Sequence, residues 1–308
     1  MRFNRRGSIY MIKIKMTNFY YGFKCNLACK GCNSGSDIIF HKDHDPSLES
    51  ILESITNFAK HVSDVTITIT LIGGEPLLYW NEKIVPMAHH VRKYYPTTTI
   101  NISTNGLLLH KLKDEVIQLL LDIDNIRLSV DDHTADFSDD PVGKKYLKNL
   151  NYFLSDPRLH KIHDEHYDIP NKNIDIMLHS FLSGFHAQFL TVDRKLKPFA
   201  TNDPEGSMKY GCVGNICSAI IDSKLYKCPR LLSLPKILAE VNQLDDPDWA
   251  KYLNYAPVDL SRNDIEEELN LFEATEGLPI PECDVCANKF IQNITWFQQS
   301  KENVIKRK

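Results

Sequence analysis

The sequence lacks any apolar segment long enough to cross a membrane. Nowhere do about 18 apolar residues follow one another without a charge. The apolar run near the amino terminus is interrupted by Lys13 and Lys15, so the apolar core of a signal peptide is missing too. We therefore expect no membrane association and a cytoplasmic location, where thiols stay reduced.

The sequence also lacks an excess of positive charge. Its formal net charge is -4, and its basic residues are scattered apart from short clusters at the two ends. Nucleic-acid partners are bound through basic patches, so we expect none here. Internal repeats and low-complexity segments are absent, and 43% of the residues are hydrophobic, as in an ordinary globular protein.

Cysteine, in contrast, is present in two groups. The first group lies near the amino terminus and the second in the last third of the chain. The eight residues are Cys25, Cys29 and Cys32, then Cys212, Cys217, Cys228, Cys283 and Cys286. In a reducing compartment, grouped cysteines more often bind metal than form disulfides.

Strand and helix patterns alternate up to about residue 184. Period-two patterns predict strands around Thr66–Leu71, Ile100–Ser103, Ile126–Val130 and Ile174–Met177, and we place a first strand around Asn18–Phe23. Amphipathic helical patterns lie between them, and the first helix is predicted to have Asp45 as its N-cap and Pro46 at its first position. This alternation predicts an α/β fold whose parallel sheet forms a partial or complete β/α barrel.

Polar and glycine-rich segments follow four of these predicted strands. They are Cys25–Cys32, Gly73–Pro76, Ser103–Gly106 and Asp131–Asp132. In β/α barrels the loops at the carboxyl ends of the strands meet at one end of the barrel and carry the chemistry. We therefore expect these four segments to converge on one site.

The first cysteine group has the spacing C-x3-C-x2-C. Three thiolates on one short loop suit a cubane iron–sulfur cluster, because they bind three irons and leave the fourth open to another ligand. A structural zinc site is the alternative. Zinc in such sites takes four ligands, and His41 or His44 could supply the fourth.

This loop, with Tyr21 and Phe23 before it and Asn26-Leu27 and Gly31 inside it, resembles the cluster loop of radical S-adenosylmethionine (SAM) enzymes. The resemblance implies a partial (β/α) barrel and a [4Fe–4S] cluster on Cys25, Cys29 and Cys32, whose open iron binds SAM. Reductive cleavage of SAM then yields a 5′-deoxyadenosyl radical that abstracts hydrogen from a substrate. An electron donor of the flavodoxin or ferredoxin type is also implied.

Three further segments are similar to the SAM-binding segments of this family. Gly73, Gly74 and Glu75 belong to a Gly-Gly-Glu-Pro motif, for which the resemblance implies a contact with the SAM amino group. The two glycines allow the backbone to approach a ligand closely. Ser103 and Asn105 lie in a segment that resembles the family's turn facing SAM, and a simple strand-to-helix turn is the alternative.

The fourth strand matches the family less closely. The resemblance implies that Ser129 contacts the SAM carboxylate, but Asp132 stands where glycine is usual. The arginine that often follows is missing, since none occurs between Arg127 and Arg158. Lys144 or Lys145 could supply the charge, as a point charge and without the bidentate geometry of arginine.

The C-terminal cysteines resemble the start and end of a SPASM or twitch extension, with Ser223 at a position where glycine is normal. The resemblance implies an auxiliary [4Fe–4S] cluster on Cys212, Cys228, Cys283 and Cys286. Cys217 is the alternative to Cys212, but it lies in a predicted strand that could bury it. A zinc knuckle on four cysteines remains the alternative to the auxiliary cluster.

These observations predict three parts: an N-terminal extension (1–16), a radical SAM barrel (17–200) and a small Cys-rich auxiliary-cluster domain (208–308). The substrate is a peptide, a protein or a small molecule. The alternative function is a non-catalytic scaffold that binds zinc or an iron–sulfur cluster. His160, His163 and His166 recur every three residues, which indicates either a metal-binding helix face or a solvated loop.

Overall fold

A computed structural model describes residues 11–26, 43–132, 141–163, 166–180, 217–227, 229–232 and 257–274. Six of the predicted metal ligands lie outside the described residues. They are Cys29, Cys32, Cys212, Cys228, Cys283 and Cys286. The division into three parts stays a prediction. Its first boundary, between residues 16 and 17, falls within the strand Ile12–Gly22, and its second, at residues 200–208, lies outside the described residues.

The described strands form one mixed sheet. In chain order they are β1 (Ile12–Gly22), β2 (Val62–Gly73), β3 (Thr99–Thr104), β4 (Ile126–Asp132), β5 (His160–His163), β6 (His166–Asp168), β7 (Ile174–Ser180), β8 (Cys217–Ile221), β9 (Lys224–Tyr226) and β10 (Val258–Asp259). Their spatial order is β10-β9-β8-β1-β2-β3-β4-β7-β6-β5. The six strands from β8 to β7 run parallel, and two strands pair in antiparallel fashion at each edge.

Four helices follow successive parallel strands, and a fifth lies near the end of the described chain. They are α1 (Leu48–His61), α2 (Val85–Tyr94), α3 (Lys113–Asp122), α4 (Pro141–Leu154) and α5 (Glu266–Ala274). Short 3-10 turns occur at Pro76–Leu78 and Pro229–Leu232, and a π-helical turn occurs at Trp80–Ile84. None of the described helices is long and apolar enough to span a bilayer. The strand–helix alternation and the open parallel sheet confirm the predicted partial β/α barrel.

The helices pack on one face of the sheet because that face is apolar. Along β3, Ile100 and Ile102 are fully buried, whereas Asn101 and Ser103 alternate with them and lie on the opposite face. Each fully buried side chain of this size contributes roughly 1.5–3 kcal/mol. The helices contribute Ile55, Phe58, Met87, Val116 and Phe153, among others, to the same core.

Strand β1 begins earlier than predicted. Ile12 and Ile14 are buried while Lys13 and Lys15 are exposed, and Ile12 pairs with Val62 of β2. The two lysines that interrupt the apolar run therefore form the polar face of a half-buried strand, which has the period-two pattern. The predicted start at Asn18 was wrong because the lysines obscured that alternation.

The N-cap of α1 is Ser47, so the prediction of Asp45 was wrong. Ser47 has extended backbone angles (φ −68°, ψ 158°), and its hydroxyl oxygen accepts a hydrogen bond from the Ser50 N–H at 3.2 Å. Asp45 and Ser47 are both favourable capping residues, so local propensity could not choose between them. Asp45 is engaged instead by the Tyr79 hydroxyl, which donates to it at 2.9 Å.

The three recurring histidines lie in an antiparallel hairpin, so neither a helix face nor a loop was right. His160 and His163 belong to β5, and His166 belongs to β6. His163 and His166 face each other with their Nδ1 atoms 3.1 Å apart. Among the described residues, no third ligating side chain joins them to form a metal site.

The hairpin of β8 and β9 is attached to the sheet and to α1. Strand β8 pairs with β1 in parallel, from Met16 and Cys217 to Phe19 and Ile220. The turn residues Asp222 and Ser223 have φ angles of 48° and 59°, in the left-handed region that favours glycine.

Two hydrogen bonds stabilise this two-residue hairpin turn. The Ser223 N–H donates to the Ser54 hydroxyl oxygen at 2.8 Å, and the Asn57 side-chain amide donates to the Ser223 hydroxyl oxygen at 3.0 Å. All three side chains are buried. A left-handed conformation costs a non-glycine residue about 1–2 kcal/mol, and these bonds offset that cost.

Candidate active site

The carboxyl ends of β1, β2 and β3 meet at one edge of the sheet, as predicted. Cys25 follows the end of β1, and the Gly73–Pro76 segment follows β2. The Gly74 N–H donates to the Gly22 carbonyl at 2.9 Å, and the Glu75 N–H donates to the Lys24 carbonyl at 2.8 Å. The backbone that leads into Cys25 is therefore hydrogen-bonded to the turn after β2.

The double glycine is required by this close approach of two chain segments. A Cβ atom on Gly73 would lie 2.1 Å from the Gly22 carbonyl oxygen. A Cβ atom on Gly74 would lie 1.9 Å from the Lys24 carbonyl oxygen. The sequence suggested that these glycines admit a ligand, whereas the contact seen in the structure is with the backbone before Cys25.

Glu75 joins the ends of β2 and β3. Only 2% of its surface is exposed, and a carboxylate so buried must be hydrogen-bonded to be tolerated. It accepts hydrogen bonds from the Leu77 N–H at 3.0 Å, from the Thr104 hydroxyl, and from the Asn105 N–H at 2.9 Å. A contact between Glu75 and SAM stays a prediction.

Asn105 holds Asn26, the residue that follows Cys25, in place. Its side-chain amide donates to the Asn26 side-chain oxygen at 2.8 Å, and its own side-chain oxygen accepts from the Leu107 N–H at 3.0 Å. Gly106 follows with a φ of 73°, in the left-handed region, and a Cβ there would lie 2.9 Å from a Val130 methyl group. The turn after β3 is therefore shaped to present Asn105 to the cysteine loop.

A partly buried cluster of polar side chains contacts the Lys24 backbone, and no sequence pattern predicted it. The Tyr79 hydroxyl accepts from the Lys24 N–H at 2.8 Å and donates to Asp45 at 2.9 Å. Lys83, whose side chain is 4% exposed, lies 3.4 Å from Asp45 and 4.7 Å from the centre of the Tyr79 ring. No local pattern links these residues, which come from three separate parts of the chain.

The charges of this cluster are mutually stabilised. Burial raises the pKa of Asp45, but the hydrogen bond from Tyr79 and the charge of Lys83 outweigh burial, so its pKa lies below the ordinary value. Burial, together with the neighbouring Asp45, raises the pKa of Tyr79, so its hydroxyl stays protonated. Asp45 is thus a carboxylate and Tyr79 a hydrogen-bond donor to it under physiological conditions.

Ser103 and Ser129 are neighbours on the inner face of the sheet, the face opposite the helices. They are directly paired between β3 and β4. The Ser129 hydroxyl donates to the Asn101 side-chain oxygen at 3.1 Å, and Ser129 is buried whereas Ser103 is exposed. Lys144, one candidate for the missing positive charge, is exposed on α4.

The donor set fits a [4Fe–4S] cluster. Cys25 is half-buried where the strand ends meet, and the residues on both sides of it are held in place. Within the described ranges no three His, Cys, Asp or Glu side chains are arranged to bind a metal, since Cys29 and Cys32 lie outside those ranges. Three thiolates from one loop, with Cys25 fixed in this way, would hold three irons of such a cluster and would leave the fourth open to another ligand.

Replacing Gly74 with alanine should prevent cluster assembly as well as SAM binding. Its Cβ would force the Lys24 carbonyl, and with it Cys25, to move by more than an ångström. We expect anaerobically reconstituted Gly74→Ala to lose the irons of the Cys25 cluster, about four per chain. Leu78→Ala, a change at an exposed position nearby, should keep the full amount. Full iron content in Gly74→Ala would contradict this account.

Replacing Tyr79 with phenylalanine should destabilise the fold by about 1–3 kcal/mol, because the Lys24 N–H and Asp45 each lose a partner. The measurement is urea unfolding of the reconstituted protein, together with the rate of iron release to a chelator. Tyr152→Phe, at a tyrosine that is 53% exposed, is the control and should change stability by less than about 0.5 kcal/mol. Equal stability of the two variants would argue against the buried cluster.

Comparison with known proteins agrees with this site. Residues 19–153 match the family model of the radical SAM superfamily. GTP 3′,8-cyclase from Lactiplantibacillus plantarum is 34% identical over 115 residues, which are 37% of this chain and 32% of the relative. The chain thus spans about a third of the length of that curated relative.

Solved structures of low sequence identity are also similar. BtrN in complex with AdoMet and 2-DOIA is 12% identical over 90% of this chain and 94% of its own, with a TM-score of 0.43. Native anSMEcpe with bound AdoMet and Cp18Cys peptide is 15% identical over 45% of this chain and 40% of its own, with a TM-score of 0.31. The family match includes the cysteine loop, Gly73–Pro76 and Ser129, and it identifies residues 19–153 of this chain as a radical SAM domain.

Proposed function

We propose that this chain cleaves SAM reductively to methionine and a 5′-deoxyadenosyl radical, which abstracts a hydrogen atom from a peptide, protein or small-molecule substrate. The observation that carries the proposal is the double anchoring of the backbone at Cys25. Lys24 is held by the turn after β2 and by Tyr79, and Asn26 is held by Asn105. A loop held in this way offers its thiolate in a fixed position, which is the preorganisation that a reactive site needs.

The first part of this proposal concerns the cluster and its source of electrons. A [4Fe–4S] cluster on Cys25, Cys29 and Cys32 would supply the electron that breaks a carbon–sulfur bond of SAM. Reduced flavodoxin or ferredoxin is the proposed electron source.

Backbone and side-chain groups at the strand ends are the proposed binding groups for SAM. They are Gly73, Gly74, Glu75, Ser103, Asn105 and Ser129. Of these, Asn105 also braces the loop directly, because its side chain donates to Asn26, and the Glu75 carboxylate holds Asn105 by accepting from its N–H.

An apolar cluster lies at the end of β1, where the chain leads into Cys25. It consists of Tyr20, Phe23, Ala219 and Ile221, with Tyr226 packed against it. Phe23, which is 1% exposed, stands two residues before Cys25. We propose that this cluster excludes water from the β8 side of the loop, since reactive intermediates need protection from solvent.

We also propose an auxiliary [4Fe–4S] cluster on Cys212, Cys228, Cys283 and Cys286. Two observations support this proposal. Ser223 has the left-handed backbone that explains why glycine is normal at its position in SPASM and twitch extensions. Tyr226, two residues before Cys228, packs in the same apolar cluster as Phe23, so the chain just before Cys228 runs close to the chain before Cys25.

The central proposal is tested by replacing Cys25, Cys29 and Cys32 together with alanine. The reconstituted wild-type protein with SAM and dithionite should form 5′-deoxyadenosine, and the triple variant should form less than about 1% as much, because no iron remains open to SAM. The measurement is product quantification by chromatography, with metal analysis. Turnover by the triple variant, or a colourless wild-type protein that contains only zinc, would refute the proposal.

The auxiliary cluster is tested by single variants at its two competing cysteines. Cys212→Ala should lose up to about four irons per chain, whereas Cys217→Ala, at the first residue of β8, should keep them all. Iron is counted after reconstitution, and the wild-type protein should contain about eight irons per chain. The opposite pattern would assign Cys217 as the ligand, and a wild-type value near four would exclude the second cluster.

A further inference from the structure

The two faces of the parallel sheet differ in chemical character. The face toward the helices is apolar, as Ile69, Ile100 and Leu128 show. The residues that alternate with them point to the opposite, inner face. In β/α barrels the inward-facing residues are usually large and branched, so that they fill the interior. Here many of them are polar.

The strand register brings one polar residue from each of five neighbouring parallel strands into a line. Asn18 is paired with Thr70, Thr70 with Asn101, Asn101 with Arg127, and Arg127 with Asp175. Residues paired in this way point to the same face of a sheet. We call Asn18, Thr70, Asn101, Arg127 and Asp175 the polar row.

The polar row is accessible at its Arg127–Asp175 end, where it contains opposite charges, whereas Asn18 at its other end is buried and donates to the Ser218 carbonyl at 2.6 Å. The side chains of Arg127 and Asp175 are 44% and 34% exposed, and their Nε and Oδ2 atoms lie 3.3 Å apart. Polar groups on an inward-facing surface need water or a polar ligand as partners, because burying them without hydrogen bonds costs free energy. This surface is therefore not built to be filled by an apolar core.

The polar row is continuous with the proposed SAM site. The Ser129 hydroxyl donates to Asn101 of the row at 3.1 Å. Ser103 stands two residues beyond Asn101 on β3, and Asn105 four residues beyond it. At a rise of about 3.3 Å per residue, the row lies roughly 7 Å below Ser103 and roughly 13 Å below Asn105.

We propose that the polar row binds the substrate, and that the substrate is a small polar molecule with hydroxyl groups and one carboxylate or phosphate group. This inference rests on the proposed function, since it assigns the substrate of the same site. Arg127 binds the anionic group, because the planar guanidinium matches a carboxylate or phosphate with two parallel hydrogen bonds. Asp175 orients Arg127, and Asn101 and Thr70 bind hydroxyl groups.

The position of the row argues against an extended peptide. Peptides that recognise sheets usually add a strand to an exposed edge and bind through the main chain. The polar row instead crosses the middle of the sheet, on β1, β2, β3, β4 and β7, and it offers side chains only. A surface of this kind recognises a compact ligand by its functional groups.

The test compares four probes by calorimetry with the anaerobically reconstituted protein in the presence of SAM. Glucuronate carries a carboxylate, glucose 6-phosphate carries a phosphate, glucose is neutral, and a serine-rich heptapeptide represents the peptide class. We expect at least one of the two anionic sugars to bind more than tenfold tighter than glucose or the peptide. The tighter of the two identifies the anionic group as carboxylate or phosphate.

Variants then locate the binding. Arg127→Ala should weaken binding of the anionic sugar about 10- to 100-fold, and Arg127→Lys should have a smaller effect because it keeps the charge but not the paired geometry. Arg262→Ala is the matched control. Arg262 is 46% exposed and its Nε lies 3.0 Å from Asp264, and this variant should bind as the wild type does.

A second variant keeps the test valid if Arg127→Ala folds poorly. Asn101→Asp places a carboxylate beside Arg127 and should weaken binding of the anionic sugar by a larger factor than binding of glucose, because only the anionic group is repelled. Iron content, measured for every variant, confirms that the cluster loop is intact. Calorimetry measures binding of the probes directly and does not require SAM cleavage. Failure of SAM cleavage would therefore refute the proposed function without changing the binding result.

Four results would overturn the assignment of the polar row. One is tighter binding of the peptide than of either anionic sugar. Another is equal binding of glucose and the anionic sugars, and the third is unchanged binding in both Arg127→Ala and Asn101→Asp. Failure of all four probes to bind would also count against it, because the row would then lack the proposed affinity for anionic sugars.

Discussion

The contact between Gly74 and the Lys24 backbone is the constraint on which the rest of the site depends. With no side chain at Gly74, the turn after β2 can lie against the last residues before Cys25, and two backbone hydrogen bonds form there. Tyr79 then reaches the Lys24 N–H, and Glu75 reaches the end of β3. A side chain at position 74 would disturb all of these contacts together.

The parallel sheet brings motifs that are distant in the sequence together at one site. Each motif follows its own strand, and parallel neighbours bring their carboxyl ends to the same edge. The helices cover one face with apolar contacts, which leaves the other face to polar residues such as Asn101 and Arg127. Substitutions on the apolar face should therefore lower the stability of the fold, whereas substitutions on the polar face should mainly change ligand binding.

Much of the fold could be predicted from the sequence, because strands such as Thr66–Leu71 and Ile126–Val130 have strong alternating patterns. The errors occurred where two local signals competed. Asp45 and Ser47 are both good caps, and the choice was made by the distant Tyr79. Lys13 and Lys15 looked like an interruption, although the pairing of Ile12 with Val62 extends the strand through them.

By itself, the sequence determined the chemistry of the site, since cysteine spacing and a double glycine are properties of adjacent residues. Only the tertiary structure decided what those residues contact. It showed that the glycines are required by the Gly22–Lys24 backbone, and that residues far apart in the chain share the cluster around Tyr79. It also aligned Asn18, Thr70, Asn101, Arg127 and Asp175, because register between strands arises from packing and is not encoded in any one segment.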